Sequence, residues 1–422
     1  MEHRPPLRTA PEFTLGFKEF VGLIAALMAV NALSIDPMLP ALPAMGDTLH
    51  ISNANDRQWI ITLYFIGLGL GSLIYGPLSD RFGRKPVMAV SLSLFLVFTA
   101  VCALAPSFTV MLIGRFACGF FAASSRVIAV SIVRDRFHGD QMARIMSLIF
   151  IVFMIVPVLA PAFGQAVLLI APWRWIFGAL LIVGLAIVLW MMVRLPETLA
   201  PENRVEINRA DLAATLKTVV TSRGSIGYML ASGTVLGGLI GFITSVQQIF
   251  FDVFHSEAIF ALAFASIAGF MGIGSFLNSH LVEKVGARRL SQGSLMLLIL
   301  LSGTHAVYAW LGMETVWSFI AFQAATMLSF AFTGSNFSAI SMEPFARGAG
   351  MASSFQACLT TIISALLGAF VGSQFDGTTL PLALGFFCYG AVALIFIAWA
   401  EHGRFFTRPG LAALRSDAIV PH

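Results

Sequence analysis

Long apolar runs, separated by short polar stretches, fill almost the whole chain of 422 residues. Each run is about 20 residues long, which is the length that an α-helix needs to cross roughly 30 Å of bilayer hydrocarbon. The pattern therefore predicts an all-α membrane protein with twelve transmembrane helices. Their predicted positions are residues 17–40, 57–79, 86–105, 108–132, 143–169, 174–194, 224–250, 257–281, 290–311, 315–338, 349–373 and 379–400.

The composition agrees with this pattern. Charged residues make up 11% of the chain, against roughly 25% in soluble domains. The four cysteines fall inside predicted helices, without the spacing of a metal site or a disulfide framework. Neither a phosphate-binding loop nor a catalytic constellation is found in the sequence, so we expect no enzyme activity, no cofactor and no metal.

The basic residues indicate how the chain is oriented. Most of the 25 lie in the tails and in loops on one side of the predicted membrane, whereas only Arg57 and Arg174 lie on the other. Because cytoplasmic loops of membrane proteins are enriched in lysine and arginine, both termini are expected in the cytoplasm. Topology also accounts for the net charge of +4, so nucleic acid is not an expected partner.

The most specific motif is a charged turn between predicted helices 2 and 3, at residues 76–86, which we call the 2–3 loop. Its characteristic residues are Gly76, Asp80, Arg81, Gly83, Arg84 and Lys85. They resemble the pattern G-x-L-x-D-R-x-G-R-[RK] of the major facilitator superfamily. The resemblance implies two six-helix bundles with alternating access to a central site. It also implies a conformational latch, in which Asp80 pairs with Arg84 and with the start of helix 11.

A weak internal repeat supports two similar halves. Residues 281–289 echo residues 80–85, with Gly286 at the position of Gly83. Such parallel repeats are typical of transporters built from two bundles. We expect the glutamates that follow helix 6, Glu197 among them, to be solvated. The predicted division is a cytoplasmic tail at 1–16, an N-terminal bundle at 17–194, a central cytoplasmic linker at 195–223, a C-terminal bundle at 224–401 and a cytoplasmic tail at 402–422.

Asp36 is the one acidic residue that the pattern places clearly inside hydrocarbon, within helix 1 and toward its outer end. An ionised carboxylate is costly there, so it must face a cavity, find a partner or take up a proton. A purely structural role, in which Asp36 caps the outer end of helix 1, is the alternative. The stretch Asp36–Pro43 resembles D-x-x-L-P-A-L-P of the bicyclomycin-resistance (Bcr/CflA) drug exporters, which favours the functional role.

Predicted helix 4 carries two arginines. Arg115 and Gly119 resemble the R-x-x-x-G pattern of the superfamily in this helix. Arg126 follows eleven residues later, which at 100° per residue returns to within about 20° of Arg115. We therefore predict that both face a cavity, with Gly119 and Ala123 on the same side. In the alternative interpretation, Arg126 extends to the inner membrane interface.

Predicted helix 5 contains Pro157, Pro161 and Gly164, which resemble part of the glycine- and proline-rich antiporter signature of the superfamily. Two prolines four residues apart are expected to bend the helix. Polar and aromatic residues inside other helices are further candidates for the substrate cavity. The candidate cavity residues are Asn31, Tyr64, Gly119, Ala123, Arg126, Gln247, Phe251 and Gln356.

Together with the resemblance to the bicyclomycin-resistance exporters, these residues predict a proton-coupled antiporter that exports small, mostly apolar drugs. The resemblance implies that it lies in a bacterial inner membrane. Ionised Asp36 would attract Arg115 in a low-dielectric cavity, and protonation would remove that attraction and shift the conformational balance. One alternative is an exporter of an anionic metabolite or siderophore that uses Arg115 and Arg126. A proton symporter is a second, and a sensor or scaffold a third. The expected partners are a small-molecule substrate, protons and the lipid bilayer, and the protein is expected to be a monomer.

Overall fold

The computed structural model describes residues 15–137, 139–204, 216–345 and 349–406. Within these ranges the regular secondary structure is entirely helical. Twelve long helices run in chain order: α1 (Phe17–Leu33), α2 (Trp59–Phe82), α3 (Arg84–Ala103), α4 (Phe108–Arg136), α5 (Gly139–Ile170), α6 (Arg174–Arg194), α7 (Arg223–Gln248), α8 (Phe260–Val285), α9 (Ala287–Trp310), α10 (Val316–Met342), α11 (Ala349–Ser373) and α12 (Leu380–Ala400).

The prediction of an all-α, multi-pass membrane protein is confirmed. All the helices except α1 begin and end within a few residues of their predicted bounds. In the described part of the chain, eleven helical stretches are long and apolar enough to cross a bilayer. The helix positions follow from local sequence because each apolar run is itself the length of one span.

The first predicted helix is wrong at its outer end. α1 ends at Leu33, and the chain continues as a 3₁₀ helix, Asp36–Ala41, and a short α-helix, Leu42–Thr48. Pro37 and Pro40 lie in the 3₁₀ segment. Because proline cannot donate a backbone hydrogen bond, these residues interrupt the α-helical ladder. Asp36, expected inside a regular helix, is instead the first residue of this 3₁₀ turn.

The helices pack into two groups. In the first, α2 packs against α4, α4 also contacts α1 and α3, α5 packs on α1, and α6 packs on α3. In the second, α7 packs against α11 and α12, while α10 packs against α8 and α9. The groups meet along α2 with α11 and along α5 with α8. The residue bounds of the two bundles, linker and tails remain predictions.

Two turns with matching geometry connect α2 to α3 and α8 to α9. Gly83 has φ +103° and Gly286 has φ +93°, a region that favours glycine. Each turn is followed by an arginine that pairs with an acidic residue at the far end of a neighbouring helix. Arg84 contacts Asp135 on α4 at 2.9 Å, and Arg288 contacts Glu343 just after α10 at 2.6 Å. The weak sequence repeat therefore corresponds to a repeated local structure.

Glycines allow α2 and α4 to approach closely. A Cβ atom on Gly119 would lie 1.9 Å from the Tyr64 carbonyl oxygen, and one on Gly67 would lie 2.1 Å from the Phe116 carbonyl oxygen. Both distances are far inside van der Waals contact, so no larger residue fits without separating the helices. Small residues of this kind are typical of tight helix packing in membranes.

We expect Gly119→Val to destabilise the protein, because the added side chain collides with the backbone of α2 rather than with a movable side chain. The expected cost is about 1–3 kcal/mol or more, which should appear as a reduced folded fraction in size-exclusion chromatography of a fluorescent fusion. Gly269→Val on α8, where a Cβ would meet nothing within 4 Å, is the matched control. Equal yields of the two variants would contradict the close approach.

Candidate functional site: a cavity between the two helix groups

A cavity of about 650 Å³ lies between the two helix groups, with walls from α2, α4, α7, α10 and α11. Residues at helix ends line it, namely Asp80 on α2, Arg134 on α4 and Gly350 on α11. The cavity therefore opens at the end of the molecule that carries the 2–3 loop. Its volume is in the range of sites that enclose small molecules.

The cavity wall is mainly apolar, with hydroxyl groups between the apolar side chains. Among its lining residues, the charged ones are Asp80, Arg126 and Arg134. Asp80 is paired with Arg84. Arg126 is exposed to the cavity and forms no hydrogen bond or ion pair with any residue in the described ranges. Apolar lining residues include Leu68, Val127, Val235, Phe330 and Phe337.

Three of the predicted cavity residues line this space: Ala123, Arg126 and Gln356. The Gln356 side-chain amide donates a hydrogen bond to the Ser338 hydroxyl at 2.9 Å. Arg126 lines the cavity and is exposed to it.

The other five predicted cavity residues, Asn31, Tyr64, Gly119, Gln247 and Phe251, do not line the cavity. Gly119 packs against the backbone of α2, and Gln247 is buried inside the second group. Phe251 lies in a π-helical turn, Ile249–Val253, with its ring 5.8 Å from that of Phe260. Of the residues predicted to share one face of helix 4, Ala123 and Arg126 line the cavity, whereas Arg115 and Gly119 do not. Helical periodicity does not show how far along the axis a cavity extends.

Arg115 is not among the residues that line the cavity and lies in a buried polar network. It is 1% exposed, and its Nε donates to the Ile60 carbonyl at 3.0 Å. Its guanidinium lies 4.5 Å from the centroid of the Tyr64 ring. The Tyr64 hydroxyl donates to Asn31 Oδ1 at 3.1 Å, and Asn31 Nδ2 donates to Ser125 Oγ at 2.9 Å. These hydrogen bonds join α1, α2 and α4, and they end at Ser125, the residue directly before Arg126.

The Asp36 side chain is buried, with 6% of the residue exposed. It makes no hydrogen bond or ion pair with the part of the chain that the structure describes, so the expected Asp36–Arg115 ion pair is not formed in this conformation. The physical reason is that Arg115 is held by the Ile60 carbonyl and the Tyr64 ring.

The helix 5 motif lies directly against the segment that carries Asp36. A Cβ on Gly164 would be 1.9 Å from the Pro37 carbonyl oxygen. Pro161 is buried and Pro157 is half-buried, both within α5. The structure thus brings together two motifs that the sequence analysis treated separately, and the glycine is needed for the contact.

The 2–3 loop forms an ionic cluster centred on Arg84, which is 3% exposed. Its guanidinium pairs with Asp80, lies 2.9 Å from Asp135 Oδ2 and donates to the Ser79 hydroxyl at 2.8 Å. The predicted Asp80–Arg84 pair is therefore present. The predicted contact of Asp80 with the start of helix 11 falls near residues 346–352, of which 346–348 lie outside the described residues. Asp80 makes no hydrogen bond or ion pair with residues 350–352, and its contact with that segment remains a prediction.

Other residues of the 2–3 loop are accounted for by local contacts. Arg81 lies over the Phe82 ring at 5.2 Å. Gly76 lines the cavity, and a Cβ there would be 2.7 Å from the Ser354 hydroxyl on α11. Lys85 is half-buried.

The expectation that Glu197 is solvated is wrong. Its carboxylate accepts hydrogen bonds from the backbone N–H groups of Arg84 and Lys85, at 3.0 and 3.1 Å. It also accepts bonds from the N–H groups of Thr198 and Leu199, both at 2.9 Å. The first N–H groups of a helix lack intrahelical partners and favour a negative charge, so Glu197 caps α3 from a distant loop.

The opposite end of the cavity is closed by a cluster of amides, which we call the Gln58 cluster. Gln58 Nε2 donates to Gln248 Oε1 and to the Gly372 carbonyl, both at 2.8 Å. Gln248 Nε2 donates to Asn55 Oδ1 at 3.0 Å, and Asn55 Nδ2 donates to the Phe375 carbonyl at 3.0 Å. These bonds connect the start of α2 to α7 and α11, and so join the two helix groups.

Asn55 and Gln58 are not among the residues predicted from the sequence, because polar residues at the start of a membrane helix are usually solvated. The available signal was the pair of amides immediately before α2. Near the same end, Gln165 Nε2 on α5 donates to the Glu257 carbonyl at 3.1 Å, ahead of α8. His305 Nε2 also lies 2.5 Å from Glu314 Oε1, in a pair that is buried within the second group.

Two groups of membrane-crossing helices, with a cavity between them that is closed at one end and open at the other, define a membrane transporter of small molecules. The family model of the Major Facilitator Superfamily matches residues 23–369. The chain belongs to the major facilitator superfamily. A crystal structure of a D-xylose–proton symporter has the same fold, with a TM-score of 0.69, 14% identity, and coverage of 90% of this chain and 97% of that chain.

The relatives include proteins named for drug resistance, as the Asp36–Pro43 motif predicted. A bicyclomycin resistance protein homolog of Haemophilus influenzae is 28% identical over 90% of this chain and 94% of its own length. The multidrug resistance protein MdtL of Escherichia fergusonii is 31% identical over 51% of this chain and 58% of its own length. The chain is thus similar to the drug-efflux group of the superfamily.

We expect Gln58→Ala to weaken the closure of the cavity at the end that the Gln58 cluster occupies. The substitution removes two hydrogen bonds between the helix groups, each worth about 0.5–1.5 kcal/mol. Spin labels at S52C and T378C, on a background without the native cysteines, should report a larger fraction of long distances. Gln374→Ala is the control, since Gln374 is exposed and, within the described ranges, its side chain bonds the adjacent Ser373 and no residue of the first helix group. An unchanged distance distribution would rule out a closing role for the cluster.

Proposed function

We propose that this protein is a proton-coupled antiporter that exports small, mostly apolar drugs or xenobiotics across the bacterial inner membrane by alternating access. The observation that carries the proposal is the buried Asp36 carboxyl, which has no partner among the described residues and adjoins Pro37, whose carbonyl packs against Gly164 of the helix 5 motif. The drug-resistance names of its relatives support export rather than uptake.

The positive-inside bias assigns the end with the 2–3 loop to the cytoplasm. On this orientation both termini are cytoplasmic, the cavity is open inward, and the Gln58 cluster closes the periplasmic side. A drug then enters the cavity from the cytoplasm or the inner leaflet. A single chain contains the whole cavity, which supports a monomer as the working unit.

Protonation of Asp36 is proposed to couple the proton gradient to this cycle. A buried carboxyl without a partner is more stable with its proton than without it, because ionisation would leave an unpaired charge in hydrocarbon. The inward-open conformation then corresponds to neutral Asp36. Loss of the proton makes an attraction to Arg115 available, which favours a rearrangement of α1, α2 and α4. The hydrogen bonds of Tyr64, Asn31 and Ser125 connect this region to the cavity wall.

The 2–3 loop is proposed to act as the cytoplasmic latch. In the outward-open state Asp80 would contact the amino-terminal end of helix 11, where the unpaired N–H groups of a helix attract a negative charge. Arg84 holds Asp80 in position, while Asp135 and Glu197 keep the turn itself folded.

Asp36→Asn is expected to abolish export driven by a pH gradient, since the amide keeps the shape of the side chain but cannot release a proton. In proteoliposomes, gradient-driven efflux should fall at least tenfold, while substrate exchange without a gradient continues. Asp47→Asn, which changes an exposed carboxylate in the next short helix, is the matched control. Full-speed coupled export by Asp36→Asn would remove Asp36 from the mechanism.

Asp80→Asn is expected to slow transport while leaving folding intact, because Arg84 retains its ion pair with Asp135. A loss of about 1 kcal/mol from the latched state would change its population roughly fivefold. Turnover in vesicles should fall accordingly, with unchanged amounts of protein in the membrane. Glu202→Gln, at an exposed position of the central loop, serves as the control, and normal turnover by Asp80→Asn would argue against the latch.

A further inference from the structure

The charges that face the cavity are unbalanced. Arg126 lies in the cavity wall and has no hydrogen-bonding or charged partner in the described ranges. Arg134, eight residues further along α4, lines the mouth, where its Nη1 would be 3.7 Å from a Cβ on Gly350. The acidic residue in the lining, Asp80, is already paired with Arg84. The guanidinium of Arg126 thus faces a cavity whose wall supplies no free acidic group.

The surroundings of Arg126 suit an amphipathic ligand. Val127 adjoins it on α4, and Phe330 on the facing helix α10 contributes an aromatic ring. Gln356 and Ser338 form a polar patch in the same cavity. An apolar body can pack against the aromatic and aliphatic wall, while a planar acidic group receives paired N–H donors from the guanidinium.

We propose that this cavity selects amphipathic monoanions, in which one carboxylate or sulfonate binds Arg126 and an apolar body contacts the remaining wall. The inference rests on the proposed function and names the substrate class of that cavity. Arg134 at the mouth attracts the anion to the entrance, and Arg126 binds it inside. Cations are disfavoured, because they meet like charge and no unpaired acid among the lining residues.

The charge of the substrate has a measurable consequence for transport. Exchange of one exported monoanion for one imported proton moves two charges across the membrane in the same electrical sense. Export of a monocation for one proton moves none. An inside-negative potential therefore drives monoanion export and leaves monocation export unaffected.

Binding can be measured with three dansyl compounds that share one apolar ring system: dansylglycine, a monoanion; dansylglycinamide, which is neutral; and dansylcadaverine, a monocation. With the purified full-length protein in nanodiscs, dansylglycine should bind at least about tenfold more tightly than the amide. Arg126→Gln should remove this difference and leave the amide affinity within about twofold. Arg126→Lys should keep part of it, and Arg144→Gln, at an exposed position on α5, should change nothing.

Several results would overturn the inference: preference for the cation, unchanged preference in a folded Arg126→Gln variant, or binding of none of the three compounds. Arg126→Lys keeps the test valid if Arg126→Gln does not fold. Because binding needs no gradient, the proposed function is tested separately in proteoliposomes. If a pH gradient drives export of none of the compounds, the antiporter proposal fails while anion selectivity stands. If it drives only the cation, selectivity fails and antiport stands.

Discussion

The low polarity of bilayer hydrocarbon is the constraint on which this structure depends. Backbone groups are satisfied within helices, and most ion pairs lie at helix ends, as Arg84 and Arg288 illustrate. Arg115 is buried, but a carbonyl and an aromatic ring hold it. Against this background, two groups stand out in the described ranges: Asp36, buried without a partner, and Arg126, charged and facing the cavity. A group kept in such a place contributes little to stability, which is the physical reason to look for function there.

The two ends of the cavity are built from different chemistry. The closed end is held by neutral amides and carbonyls, whereas the open end carries the ionic cluster of the 2–3 loop. Each amide hydrogen bond contributes only a small net free energy, because the same groups bond to water when the two helix groups separate. A few such bonds can therefore hold the helix groups together without making their separation prohibitively costly. The ionic cluster lies within the first helix group and holds the α2–α3 turn in place.

The proposed proton site and the proposed cargo site are separate. Asp36 does not line the cavity, and Arg126 lies about three turns along α4 from Arg115. Coupling between them would pass through the network of Tyr64, Asn31 and Ser125, and through the tight packing of α2 on α4. Direct competition of proton and drug for one carboxylate is not required. A charge change at Asp36 can instead alter how the helices around the cavity pack, and a cargo that carries a negative charge remains compatible with proton exchange.

The sequence by itself determined the twelve helices and the turn at Gly83, because these depend on local run length and backbone freedom. It also singled out Asp36, Arg115 and Arg126, since charge inside an apolar run is visible without a fold. Only the tertiary structure decided their partners: that Arg115 binds Ile60 and Tyr64, that Glu197 caps α3, and that Gln58 meets Gln248 from the other helix group. Such contacts join residues far apart in the chain, and their formation depends on how whole helices pack, which no local pattern encodes.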